Sequence, residues 1–110
     1  MIEARLKSGL WVRGLMRLAE TKGHSAMRLR RGDEDAGAVL IVLTDREGRL
    51  ALLREAALGA GWERIALEDT QALDTYIERQ TRYDPDLWVL ELTLEDVTSP
   101  IEAELPGRTS

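Results

Sequence analysis

Ala38-Val39-Leu40-Ile41-Val42-Leu43-Thr44 runs straight into Asp45-Arg46-Glu47-Gly48 and then Arg49-Leu50-Ala51-Leu52-Leu53-Arg54. The first segment has no polar alternation, so it reads as a strand covered on both faces. Gly48 supplies the left-handed position that a tight turn requires. The second segment then returns as an antiparallel partner. A two-strand unit of this kind cannot stand alone in water, so the flanking segments must supply further strands and covering helices.

Toward the N-terminus, residues 8–22 read as a helix, with Ser8 as its N-cap and Gly23 as its left-handed end. Trp11, Leu15 and Leu18, widened by Val12, Met16 and Ala19, form its buried stripe. Arg5–Lys7 precede it as a short strand or extended arm. His24–Arg31 read as a strand in which Met27 and Leu29 alternate with Arg28 and Arg30. Gly32-Asp33-Glu34-Asp35-Ala36-Gly37 is turn chemistry.

Toward the C-terminus, Ala56–Gly61 form a loop or short helical turn, and 62–68 a weaker strand. A second helix, capped by Asp69 or Thr70, extends to about Arg82 and buries Ala72, Leu73, Tyr76 and Ile77. Pro85 ends it by forcing Asp84 out of helical geometry. Leu87–Leu94 form the last strand, and residues 95–110, with Pro100, Pro106 and Gly107, read as a flexible tail. The expectation is therefore one α+β domain over 1–94, with two helices packed on a mostly antiparallel sheet of four to five strands. Segments 38–43, 50–53 and 87–90 are apolar on both sides. Either the helices cover opposite faces, or a bare face meets the tail or a second copy.

Length and composition agree with this. The 110 residues suit one core, and 44% hydrophobic with 32% charged residues is ordinary for a water-soluble fold. There is no cysteine and one histidine, His24. Thiolate chemistry is thereby excluded, and so is a multi-histidine metal site within one chain. The longest apolar run, Ala38–Leu43, is far short of the roughly 20 residues that span a bilayer. No basic start is followed by an apolar signal segment, so the expected location is cytoplasmic. The net charge of −5 is unevenly laid out: residues 1–31 carry +6 and residues 32–110 carry −11.

Three segments resemble one family. They are Leu10-Trp11-Val12, the stretch from Arg31-Gly32 through Asp35-Ala36-Gly37-Ala38, and above all Arg82-Tyr83-Asp84-Pro85-Asp86-Leu87-Trp88-Val89. They are similar to small bacterial proteins, mainly alphaproteobacterial, known as domain of unknown function 1491. The resemblance covers about residues 4–94. It implies a bacterial intracellular protein of this length, and it brings no activity, cofactor or catalytic residue.

The candidate binding residues are Arg13, Arg17, Arg28, Arg30 and Arg31. Gathered on one surface, their guanidinium forks suit phosphate in a nucleic acid or an anionic ligand. The alternative is that they pair with the acid-rich remainder. Asp33, Glu34, Asp35, Asp84 and Asp86 read as turn and helix-stop residues without calcium-loop spacing. His24 suits a helix C-terminus, and Ser8, Ser25 and Ser99 lack a nucleophile-elbow context. Gly59-Ala60-Gly61 has no phosphate-loop frame. No cofactor or metal is expected. The functional expectation is a non-enzymatic accessory or interaction domain whose partner is another protein or a second copy. The alternatives are a module contacting nucleic acid or an anion through the arginines, and a small enzyme using Asp/Glu pairs.

Overall fold

The computed structural model describes residues 6–108. The order is α1 (Ser8–Thr21), β1 (Ser25–Arg30), β2 (Val39–Thr44), β3 (Leu50–Glu55), β4 (Trp62–Ala66), α2 (Thr70–Tyr83) and β5 (Trp88–Thr93). Short 3-10 turns lie at Ala57–Gly59 and Ile101–Ala103. This is an α+β fold with two helices and a five-stranded, mostly antiparallel sheet. Of the arm expected over Arg5–Lys7, Arg5 lies outside the described residues.

The strand order is β1-β5-β2-β3-β4. The expected hairpin is present: β2 and β3 pair antiparallel from Leu40↔Arg54 to Thr44↔Leu50, and Gly48 takes φ 76°. β5 inserts between β1 and β2. It runs antiparallel to β1 and parallel to β2, in register from Val39↔Trp88 to Thr44↔Thr93. An interior strand must be apolar on both faces, and β5 meets that demand with Trp88, Leu90 and Leu92 on one face and Val89 on the other.

The helices cover opposite faces. α1 lays Trp11, Val12, Leu15 and Ala19 over Val39, Ile41, Leu43, Leu53, Trp88, Leu90 and Leu92. α2 sets Leu73, with Tyr76 and Ile77 partly buried beside it, over Leu40, Val42, Leu52 and Val89. Asp69 caps α2 by accepting the Ala72 N–H at 2.8 Å. Ser8 is not the cap of α1. It is the first helical residue, and its hydroxyl donates to the Gly37 carbonyl instead.

Residues 95–108 differ from the expected tail. Val97, Ile101 and Leu105 are at most 5% exposed and complete the core beneath α1. Arg64 on β4 ties this segment down with two bonds of 2.7 Å to the Glu102 carboxylate, and with bonds to the Val97 and Ser99 carbonyls at 2.6 and 2.7 Å. The prolines and the glycine bend the segment around the sheet rather than release it. Burying one such aliphatic side chain stabilises by about 1.5–3 kcal/mol, so three approach the 5–15 kcal/mol typical of a whole domain. A chain ending at Leu94 is therefore expected to lose its cooperative thermal transition in calorimetry, while the full chain keeps it.

Two of the segments that resemble the family, 31–38 and 82–89, meet in space. Asp86 accepts the Asp33 N–H at 3.0 Å, the Trp88 indole donates to the Asp33 carbonyl at 2.7 Å, and Asp84 accepts the Ala38 N–H at 2.9 Å. The loop between β1 and β2 thus clasps the Asp84-Pro85-Asp86 turn. A Cβ on Gly32 would fall 2.0 Å from the Asp86 carbonyl oxygen, and one on Gly37 would fall 1.8 Å from it. Backbone lies on both sides, so neither can give way cheaply. Gly37→Ala is expected to cost about 2–4 kcal/mol, read as a lower urea midpoint at unchanged slope.

Candidate functional site

The five candidate arginines do not form one free patch. α1 presents Arg13 so that it meets Glu34 at 3.1 Å, and Arg31 approaches the same carboxylate at 3.8 Å. Arg30 turns inward and donates to the Pro85 carbonyl at 2.6 Å, bracing the Asp84-Pro85-Asp86 turn against β1. Arg17 and Arg28 have no ion-pair partner among the described residues. Lys7 and Lys22 follow the first pattern, meeting Asp35 at 3.6 Å and Glu104 at 3.2 Å. Much of the basic N-terminal third is thus matched internally by acids from the rest of the chain. Exposed pairs of this kind each contribute roughly 0–1 kcal/mol, so they align the halves more than they hold them together.

The most deeply buried polar cluster was not anticipated, because it is built by the presumed tail. Arg108 is 3% exposed. Its guanidinium donates to the Ser8 hydroxyl at 2.9 Å, the Gly37 carbonyl at 2.9 Å and the Glu55 carboxylate at 3.1 Å. It also lies 4.6 Å from the ring centre of Trp11, which stacks on Trp62 at 5.1 Å. Glu55 further accepts the Val39 N–H at 2.8 Å, and the Trp62 indole donates to the Pro106 carbonyl at 3.1 Å. These contacts join the start of α1, the first residue of β2, the last residue of β3, and the C-terminal segment. A buried ion pair of this kind is a locking device: removing one partner typically costs about 3–5 kcal/mol.

Asp45 plays a similar part at the opposite end of β2. Its carboxylate accepts the backbone N–H groups of Glu47, Arg49 and Val97 at 3.1, 3.2 and 3.0 Å, and the Arg49 side chain at 2.9 Å. The Val97 N–H is the largest cause holding its carboxyl below the ordinary carboxylate range, against an opposing push from desolvation. Thr98 holds Asp96 low in the same way, and Arg64 holds Glu102 low. The Asp45 and Glu102 contacts tie the segment 95–108 to the sheet, and the Asp96 contact shapes it from within.

The polar clefts are shallow. One of about 480 Å³ brings together Lys22, His24, Glu95, Asp96 and Ser99. Two of its charged groups already have partners: Lys22 with Glu104, and Asp96 with Arg49 at 3.3 Å and Thr98. Among the described residues no hydrogen bond links His24 to Ser99 or to a carboxylate, so the geometry of an oriented nucleophile is not in place there. Among the described residues no three His, Asp or Glu side chains are grouped to hold a metal ion. None of the described helices is long and apolar enough to cross a membrane.

The exposed apolar side chains are more distinctive. Leu6 and Leu10 flank the start of α1, and Tyr83 ends α2. Met27 and Leu29 lie on one strand, β1, with 57% and 47% of their surface in solvent. β1 is an edge of the sheet, paired on one side only, and Met27 shares the α2-side face with Glu91. Side chains of the opposite edge strand, β4, are engaged instead: Arg64 and Trp62 both bond the C-terminal segment. The alternation of Met27 and Leu29 was visible in the sequence, but not that no helix would cover them.

Because the depressed carboxyls of Asp45, Asp96 and Glu102 stay ionised to lower pH in the folded chain, their stabilisation is complete above the ordinary carboxylate range of about 4. It is lost as pH falls below that range, through the folded-state values. Denaturant midpoints are expected to fall as pH drops below about 4, and Asp45→Asn is expected to flatten that fall.

Comparison with known proteins agrees with the architecture. A family model described as a protein of unknown function (DUF1491) matches residues 6–102. A crystal structure of a DUF1491 family protein from Caulobacter crescentus is 40% identical, with TM-score 0.75, covering 86% of this chain and 91% of that one. An NMR structure of a DUF1491 family protein from the same organism gives 39% identity, TM-score 0.72 and coverages of 86% and 90%. The solution structure of a protein from A. tumefaciens gives 28%, 0.74, 84% and 89%. No curated protein matches. With a family model that matches residues 6–102, most of its length, the chain belongs to the DUF1491 family.

Proposed function

We propose that this protein is a non-enzymatic interaction domain of the bacterial cytoplasm that receives a protein partner at the edge strand β1. The observation that carries this reading is the open edge of β1, with Met27 and Leu29 half in water while the apolar residues of the neighbouring strand β5 are buried. An edge strand offers unpaired backbone donors and acceptors along its length, and natural sheets usually guard such edges. Strand addition converts those groups into ladder hydrogen bonds and gives the exposed side chains something to pack on. The strongly engaged polar side chains, Arg108, Asp45 and Arg64, all serve to hold the C-terminal segment in place.

Two substitutions test this reading together. Met27→Asp and Leu29→Asp change exposed side chains, so the melting temperature is expected to stay within a few degrees of the parent. A photo-crosslinker at position 27 is expected to trap one discrete partner in the native cell, and a crosslinker at Arg79 on α2 is expected not to. Leu29→Asp should abolish that adduct. Equal labelling from both positions, or an adduct indifferent to Leu29→Asp, overturns the assignment of β1.

A further inference from the structure

We infer, building on the reading of β1 as a docking edge, that the segment it receives is an extended acidic strand in which carboxylates alternate with apolar residues. Arg28 sits between Met27 and Leu29 on the same open edge and is itself exposed. Other nearby cations are held by contacts within the fold: Arg13 and Arg31 share Glu34, Lys22 meets Glu104, and Arg30 donates to the neutral Pro85 carbonyl. Arg28 has no such match among the described residues. The edge therefore carries a positive charge without an ion-pair partner, on the face opposite to Met27.

The pairing register gives that charge a side. Arg28 stands opposite Leu90, on the α1-side face, and Met27 stands opposite Glu91, on the α2-side face. A strand added outside β1 continues both faces with a period of two. Its residues on the α1 side then neighbour Arg28, and those on the α2 side neighbour Met27. Opposite charges across a strand pair are favourable, and so are apolar neighbours, whereas like charges placed across from one another are unfavourable. The complementary segment thus has acids on one side and apolar residues on the other. The irregular register between Arg28 and Arg30 confines regular pairing to the Ser25–Arg28 half.

The same charge argues against a second copy as occupant. Ser25–Arg31 holds three arginines and no acid. Pairing β1 with its twin would set two such segments side by side. Cationic residues on an edge are a usual guard against self-pairing, and here that guard is also what selects an acidic partner.

Two capped, fluorescently labelled peptides serve as probes, one alternating Glu with Val and the other Lys with Val. Anisotropy titration of the full chain is expected to favour the acidic peptide by about tenfold or more at moderate salt, with the preference shrinking as salt rises. Arg28→Gln should weaken the acidic peptide by about fivefold, and Arg28→Glu should reverse the preference. Amide shifts on binding should centre on residues 25–30. Equal binding of the two peptides, shifts centred on another element, or no binding by folded protein overturns the inference. If the crosslinker at position 27 still traps its partner in that case, the docking edge stands and only the acidic chemistry falls. If concentration-dependent sedimentation shows a dimer lost with Arg28→Glu, the occupant is a second copy and the inference is likewise overturned.

Discussion

The fold depends on the parallel pairing of β2 with β5 at the centre of the sheet. Both strands are apolar on both faces, so neither can lie at a bare surface. That constraint dictates the layering: one helix on each side, and a further cover where a single helix is too narrow. The added cover is the C-terminal segment, which explains why so many of the strong polar contacts converge on it. Arg64, Asp45 and Arg108 each reach it from, or join it to, a different part of the sheet. Isolated polar contacts contribute about 1 kcal/mol each. Acting on one segment whose apolar side chains are also buried, they select a single path for a chain rich in proline and glycine.

The loop joining β1 to β2 accounts for the glycines and aspartates on which the sequence resemblance rests. Gly32 and Gly37 are needed because the Asp86 carbonyl occupies the space a side chain would take. Asp33 folds its own loop by accepting two backbone N–H groups, and Asp84 does the same for its turn while reaching Ala38. Trp88 closes the contact with its indole. The motif is thus a joint between the glycine loop and the entrance to β5, placing that strand between β1 and β2. Its acids Asp33 and Asp84 accept backbone N–H groups and so shape the loop and the turn.

That joint leaves β1 at the sheet's edge with its α2-side face uncovered. The helices are committed elsewhere, α1 to the strands beneath it and α2 to β2, β3 and β4. An interaction reading follows from this unequal coverage more than from any reactive group. The charge layout sharpens it, since most of the N-terminal cations are matched at home and Arg28 is left on the edge.

The sequence by itself determined most of the elements: the two helices, four to five strands, the hairpin at Gly48 and the α+β class were legible, because period and turn residues are local properties. It also carried the family marks, although not their purpose. Three things were decided only in three dimensions. The parallel contact of β2 with β5 depends on which edge a distant strand joins, and β5 has the same apolar pattern on either edge. The packing of 95–108 was hidden because proline and glycine signal irregular backbone equally well in a free tail and in a strap; the spacing of Leu94, Val97, Ile101 and Leu105 was its only local trace. The fate of Arg13 and Arg30 turned on partners more than twenty residues away, Glu34 and the Pro85 carbonyl. Charge is written in the chain, but whether it is matched depends on what the fold brings beside it.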